Sequence, residues 1–527
     1  MTTRRAFYKI KTVLVVDDSD QIRSYLKSML LLIGFEEVVL ARDADVALSC
    51  CRRMSFDFIL CDYKLGHGRD GYQLFEVLRS ERLLKAECCF LVVSAERQRQ
   101  CVYGMIEYQP ADYLLKPFSY AELERRIARA YHIRQALQPI YLAISRAQLA
   151  EAVTACDEVV AKRSQFAMHA SRLKAELLTR LERYDEAEHL YLWTLTVRDF
   201  GWAKLGLAVT YGYQGRREEA EALLLELSTR AETKIEALEW LARLHISQNR
   251  PAEALAAIEV VAKNSPRNHQ RQHVLANLAV IENQLELAVS VHQRLLTAAR
   301  YSMHDTADNM LNYARAMFEL AKQQPAKEQA ETLLRIDQFI TTIKKRFHPS
   351  NFEHDRLVLA ARMLLLEGKN DKALAHLAES EQLSLDRVLS APAMLDRARA
   401  YLEAGDLAMS DHYIACLSTV AQDDSIYSSA LDLLMHYEQQ KQQTVRQELL
   451  AKQQASFVAI EYFQRELDKM PENINIALNL LQAISICRPL TDELRQLAQR
   501  AVDVIIAGRL PHDQIKRYQV IMSHIQL

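Results

Sequence analysis

The stretch Phe56-Asp57-Phe58-Ile59-Leu60-Cys61-Asp62-Tyr63-Lys64 decides the fold. It is a short apolar run that stops on a carboxylate, the pattern of a buried strand delivering Asp62 to its carboxyl end. In an open parallel α/β sheet the ligand crevice lies outside those ends. Two other runs finish the same way. Val13-Leu14-Val15-Val16 leads into Asp17-Asp18, and Tyr113-Leu114-Leu115 leads into Lys116-Pro117. Three acids and one lysine are therefore expected along one edge of one sheet.

The residues between these runs supply helices. Ser19 is placed to cap a helix whose apolar side is Ile22, Leu26, Met29, Leu30 and Ile33, and Gly34 ends it. Val38–Leu40 is a second strand, Ala44–Arg53 a second helix, and Phe56–Cys61 the third strand. After the loop Leu65–Gly71 comes a helix with Leu74, Phe75 and Leu78 inward. Cys89–Val93 is a fourth strand ending on Ser94, and Ala95–Glu107 is a weaker, polar helix. Asp112–Leu115 is the fifth strand, and Ser119 caps a helix carrying Leu123, Ile127 and Ala130. This alternation predicts an α/β doubly wound, five-stranded parallel sheet.

The whole chain narrows the function class. Its 527 residues are 50% hydrophobic, with only 12 glycines and 11 prolines, which suits a helical protein with short connections. A net charge of −2 gives no reason to expect nucleic acid or an anionic membrane as partner. No apolar run is long enough to span a bilayer, and the basic start Met1-Thr-Thr-Arg-Arg lacks an apolar signal segment. A cytoplasmic location is the expectation. The nine cysteines show no C-x-x-C spacing and read as reduced, buried small hydrophobes. There is no His-Glu-x-x-His spacing among the 16 histidines, no P-loop, no nucleophile elbow and no dinucleotide fingerprint, so no separate enzymatic activity is expected.

Val-Val-Asp-Asp, the strand-end Asp62, Ser94-Ala95 and Leu115-Lys116-Pro117-Phe118, in this order, resemble the CheY-like receiver domain of two-component response regulators over residues 10–131. The resemblance implies that Asp62 accepts a phosphoryl group from a sensor histidine kinase or a phosphotransfer protein. It implies Mg²⁺ held by Asp17, Asp18, Asp62 and the backbone carbonyl of Lys64. It gives Lys116 and Ser94 the phosphoryl oxygens, Tyr113 an inward swing on phosphorylation, and Pro117 a cis bond. The residue types suit that chemistry: in-line phosphoryl transfer needs a nucleophile and positive charge on the equatorial oxygens, and oxygen ligands suit Mg²⁺. Two features depart from the family. The loop after Asp62 lacks the usual proline and has extra glycine at Gly66 and Gly68, which predicts a longer, looser loop. Lys64 and Glu96 flank the site, and an ion pair between them would shield the acyl phosphate and slow its hydrolysis.

After Tyr131 no strand signal returns, and a period appears. Ala187, Ala220, Ala254 and Ala288 open helices at intervals of 33, 34 and 34 residues, and 12 residues before each stands Ala175, Ala208, Ala242 or Ala276. The pattern resembles the tetratricopeptide repeat, an antiparallel helix pair that small residues allow to pack closely. Less regular pairs are expected at Leu137–Ala161, Leu311–Ile343, Leu357–Leu383 and Leu395–Leu417. The array is assigned to 137–425 and a divergent helical extension or cap to 426–527, with one long polar helix over 428–469 broken at Met470-Pro471. Such an all-α superhelix suits binding of another protein, with Tyr211, Tyr213, Trp240 and His245 on first helices. The expected protein is a response regulator whose output is protein binding on the array, with homodimerisation open. The alternatives are a phosphorylation-independent scaffold or an inhibitor of a kinase or phosphorelay. A DNA-binding regulator is disfavoured by the absence of a basic stripe.

Overall fold

The computed structural model describes residues 7–95, 110–162, 165–420, 425–487, 490–508, 514–523 and 525. The chain divides into two compact units, Met1–Leu278 with Arg294–Asp305, and Ala279–Gln293 with Thr306–Leu527.

The first unit opens with the sheet. Its strands are β1 (Thr12–Val16), β2 (Glu37–Ala41), β3 (Phe58–Cys61), β4 (Cys89–Ser94) and β5 (Asp112–Leu115). They lie parallel in the order β2-β1-β3-β4-β5, the flavodoxin-like arrangement with its switch point between β1 and β3. Register pairs Val16 with Cys61, so Asp17 and Asp62 leave adjacent strands side by side. The continuous apolar runs are explained by burial on both faces: every residue of β3 and β4 is buried. Helices α1 (Asp20–Ile33), α2 (Ala44–Arg53), α3 (Gly71–Ser80) and α4 (Tyr120–Ala136) flank it. The polar helix expected at 95–107 lies, beyond Ala95, outside the described residues.

Two boundaries differ from expectation. Phe7 and Tyr8, ahead of the assigned start at 10, pack with Phe35, Phe58 and Tyr131, and Lys11 pairs with Asp57 beneath them. At the other end α4 continues past 131 to Ala136, because no helix breaker appears before Gln138-Pro139 starts the next helix, α5 (Gln138–Ser145).

Helical pairs follow: α6 (Leu149–Ala161), α7 (Ala167–Arg180), α8 (Tyr184–Val197), α9 (Gly201–Tyr213), α10 (Arg217–Ser228), α11 (Lys234–Ser247) and α12 (Pro251–Asn264). The alanines that set the sequence period, Ala175, Ala187, Ala208, Ala220, Ala242 and Ala254, are all buried. The period is also written in the backbone. Positive φ recurs at Ala147, Glu182, Gly215, Asn249 and Asn283, at intervals of 35, 33, 34 and 34 residues. Each left-handed residue ends a helix, and the next amide reaches back, as Arg216 N does to Tyr211 O and Arg250 N to His245 O, both at 2.9 Å. Arg183, Arg216 and Arg250 then each pair with a glutamate three residues on, Glu186, Glu219 and Glu253. Helices α13 (His269–Ile281) and α14 (Leu285–Ala299) follow, each with residues in both units.

The second unit carries α15 (Ala307–Ala321), α16 (Ala326–Arg346), α17 (Glu353–Leu366), α18 (Asn370–Ser384), α19 (Ala391–Glu403) and α20 (Leu407–Val420). Among them lies a buried charge network: Arg315, Arg362, Arg397 and Arg399 against Asp308, Glu319, Asp355, Asp396 and Glu403. The long helix α21 (Ile426–Lys469) ends at Met470, and α22 (Ile474–Ile484), α23 (Asp492–Gly508) and α24 (Ile515–Ser523) pack on its last turns. Among the described residues no helix is long and apolar enough to cross a membrane.

Candidate functional site

The site forms where β1, β3 and β5 end. The carboxylates of Asp17, Asp18 and Asp62 bring one oxygen each to within 4.8 Å of one another. Asp17 is buried, Asp62 half-buried and Asp18 exposed. The Lys116 ammonium donates to Asp17 Oδ2 and Asp62 Oδ2, both at 2.7 Å. One ammonium against three carboxylates leaves a formal charge of −2 (+1 − 3), matched to a divalent cation. The donor set is all oxygen, so the residues fit Mg²⁺.

Each side chain is held from behind. Asp17 Oδ1 accepts the Ser19 amide at 2.9 Å, and the Arg23 guanidinium donates to the Asp17 carbonyl. Burial raises the Asp17 pKa, and the hydrogen bonds from Lys116 and Ser19 only partly offset it. Burial alone would lower that of Lys116, but its hydrogen bonds to Asp17 and Asp62 outweigh burial and hold the ammonium above its usual range. Asp62 Oδ1 lies 3.4 Å from the Lys64 amide. The Lys116–Pro117 peptide is cis.

The loop from Asp62 to Gly71 is more closely tied than its glycines suggest. Gly71 N donates to Tyr63 O at 2.8 Å and closes it. A Cβ at Gly71 would stand 2.1 Å from the Asp62 carbonyl oxygen, so only glycine lets α3 start there. Gly66 and Gly68 take positive φ, and Gly66 lies against Asp18. The expected looseness is therefore corrected: extra glycines allow a compact turn.

Ser94 is buried at the end of β4, and its carbonyl accepts the Lys116 amide at 2.8 Å. Tyr113 is half-buried against one of the two core faces. Glu96, and with it the Lys64–Glu96 pair, lies outside the described residues. Sequence reading did not single out Arg23 or Gly71. Arg23 has a local signal in its three-residue spacing from Asp20, with which it pairs.

A family model described as response regulator receiver domain matches residues 13–128. Chemotaxis protein CheY-3 of Vibrio cholerae is 28% identical over 119 residues, 23% of this chain and 90% of that protein. Chemotaxis protein CheY of Pseudomonas aeruginosa is 29% identical over 119 residues, 23% of this chain and 94% of that protein. Among solved structures, Vibrio cholerae chemotaxis protein CheY4 matches at 26% identity over 23% of this chain and 98% of that one, with a TM-score of 0.21. A putative response regulator from Chloroflexus aurantiacus matches at 31% identity over 23% of this chain and 98% of that one, with a TM-score of 0.22. Residues 13–128 are a response regulator receiver domain. The remainder is a helical array consistent with tetratricopeptide-like repeats.

Proposed function

We propose that Asp62 is the phosphoacceptor of a phosphorelay and that the helical array turns its state into protein binding. The observation that carries this reading is the cluster of Asp17, Asp18 and Asp62, with Lys116 bridging Asp17 and Asp62, at the ends of β1, β3 and β5. An Asp62 carboxylate oxygen attacks the phosphorus of a phosphohistidine on a sensor kinase or phosphotransfer protein. The P–N bond breaks, its electron pair returns to the imidazole nitrogen, and an acyl phosphate forms on Asp62. Asp17, Asp18, Asp62 and the Lys64 carbonyl would hold Mg²⁺, which would supply positive charge against the transferring group. Lys116 leaves its bridge to pair with the phosphoryl oxygens, and the Ser94 hydroxyl donates to the same group. Tyr113, three residues before Lys116 on β5, is the side chain placed to follow that change.

The test is a calorimetric Mg²⁺ titration of the full chain. One ion per chain is expected, with affinity falling at least about ten-fold in Asp17→Asn, since one charged ligand is lost. Equal affinity in the two proteins would contradict the assignment.

A further inference from the structure

The first two turns of the helix that follows the phosphoacceptor loop, Gly71–Leu78, do not face solvent. Gln73 and Glu76 in those turns are over nine-tenths buried, at 6% and 8% exposure. Residues of the repeat array cover them, within the same compact unit.

The contact centres on the first turn of α3. Asp70 and Gln73 form a capping box: Asp70 Oδ1 accepts the Gln73 amide at 2.9 Å and Gln73 Oε1 accepts the Asp70 amide at 3.1 Å. Each of the two side chains spends its remaining polar atom on the array. Asp70 Oδ2 pairs with Arg267, from the turn after α12, and Gln73 Nε2 donates to the Arg300 carbonyl at 3.0 Å. One turn further along, Glu76 Oε1 lies 3.1 Å from His304 Nε2, and the His304 ring stacks on His269 at 3.8 Å. The Arg267 guanidinium also lies over the rings of Tyr63 and Tyr72, 5.4 and 5.7 Å from their centroids. Tyr63 is the residue bonded to Asp62, and its carbonyl closes the loop through Gly71. The array thus grips the loop that carries the acceptor, not only the helix behind it.

We infer that this grip is an interaction surface linking the array to the acceptor site: the array holds the loop in the form seen here, with Asp62 bound to Lys116, and loading Asp62 loosens the hold. The inference rests on the phosphoacceptor reading. Its physical basis is reciprocity. If rearranging Tyr63–Asp70 around a loaded Asp62 strains the contacts of Arg267, Arg300 and His304, then breaking those contacts must favour loading by the same factor. It also places the α3 face out of reach of an outside partner until the grip is released.

The experiment uses the full chain with Mg²⁺ and beryllofluoride as the phosphoryl stand-in, read by calorimetry and by amide exchange over 71–80 and 265–304. Two variants break the contact by like-charge repulsion, Arg267→Glu against Asp70 and His304→Glu against Glu76. Both are expected to bind beryllofluoride roughly ten-fold more tightly, within the usual range of coupling between sites. The double variant Glu76→Lys/His304→Glu, which reverses the pair, is expected to return to the wild-type affinity. Equal affinity in wild type and both single variants, with exchange over 71–80 raised, would overturn the inference while leaving the phosphoacceptor reading intact. No beryllofluoride binding in any of the proteins would defeat both.

Discussion

Replacing Arg362 by Met tests what keeps the second unit in one arrangement. The Arg362 side chain is fully buried and donates to three carboxylates: Asp396 at 2.7 Å, Glu319 at 2.7 Å, and Glu403 at 2.9 and 2.6 Å. Removing one partner of a buried pair costs about 3–5 kcal/mol, because the other charge stays buried. Here each carboxylate keeps another cation: Asp396 keeps Arg315, Glu319 keeps Arg399, and Glu403 keeps Lys322. The cost should therefore fall near the lower end, about 3 kcal/mol. The penalty also has a pH signature. Burial opposes ionisation of Glu319 and Glu403, but Arg362 outweighs it and holds both below the usual carboxylate range. Stability from such a group is full above the unfolded carboxylate value and is lost as pH falls through the lower folded one. The difference between Arg362→Met and wild type should thus hold from pH 7 down to about 4.3, the usual glutamate value, and shrink as pH falls further. Native-state amide exchange in α17 and α19 measures it locally. A difference below about 1 kcal/mol at pH 7 would refute the reasoning, because it would mean that solvent screens these charges.

Three further outcomes are expected. Gly71→Ala places a methyl 2.1 Å from the Asp62 carbonyl oxygen, so the receiver should lose about 3 kcal/mol in denaturant unfolding and Mg²⁺ affinity should fall with it; wild-type values for both would be contrary. Burial, with His304 and His273 adding to it, pushes the His269 pKa down to about 3. The folded chain then refuses a proton that the unfolded chain takes near the usual value of about 6.5, so stability is full above that value and declines as pH drops. Between pH 7.5 and 5.5 the wild type should lose about 1 kcal/mol more than His269→Asn, and parallel pH curves would exclude this. Burial raises the thiols of Cys51, Cys89 and Cys156 to about 12, so a thiol reagent at pH 8 should label them only as the chain unfolds; fast labelling in native buffer would contradict their burial.

Much of this was legible because the signals were local or periodic. Strands β1, β3 and β4 are buried on both faces, and two-sided burial is what writes unbroken apolar runs. Their carboxyl ends follow directly, and with them the meeting of Asp17, Asp62 and Lys116. The repeat was visible in its alanines because close helix packing tolerates little else there. Its turns were harder to see: only Gly215 announces a left-handed residue, while Glu182 and Asn249 take the same conformation without that marker. Phe7 and Tyr8 escaped because two aromatics at a chain start have no period. Asp70 with Gln73 was readable as a cap, but the partner of Asp70, Arg267, lies 197 residues away. No spacing rule reaches so far; that contact comes from how the array packs on the receiver.

The most direct test of the central claim is phosphoryl uptake by the full chain. The purified protein, with Mg²⁺ and a small phosphodonor such as acetyl phosphate, is followed by intact mass and peptide mapping beside Asp62→Asn. The account predicts one phosphoryl group per chain, on the peptide containing Asp62, labile to hydroxylamine as an acyl phosphate is, and absent from Asp62→Asn. No uptake by the wild type, or equal uptake by Asp62→Asn, would contradict it.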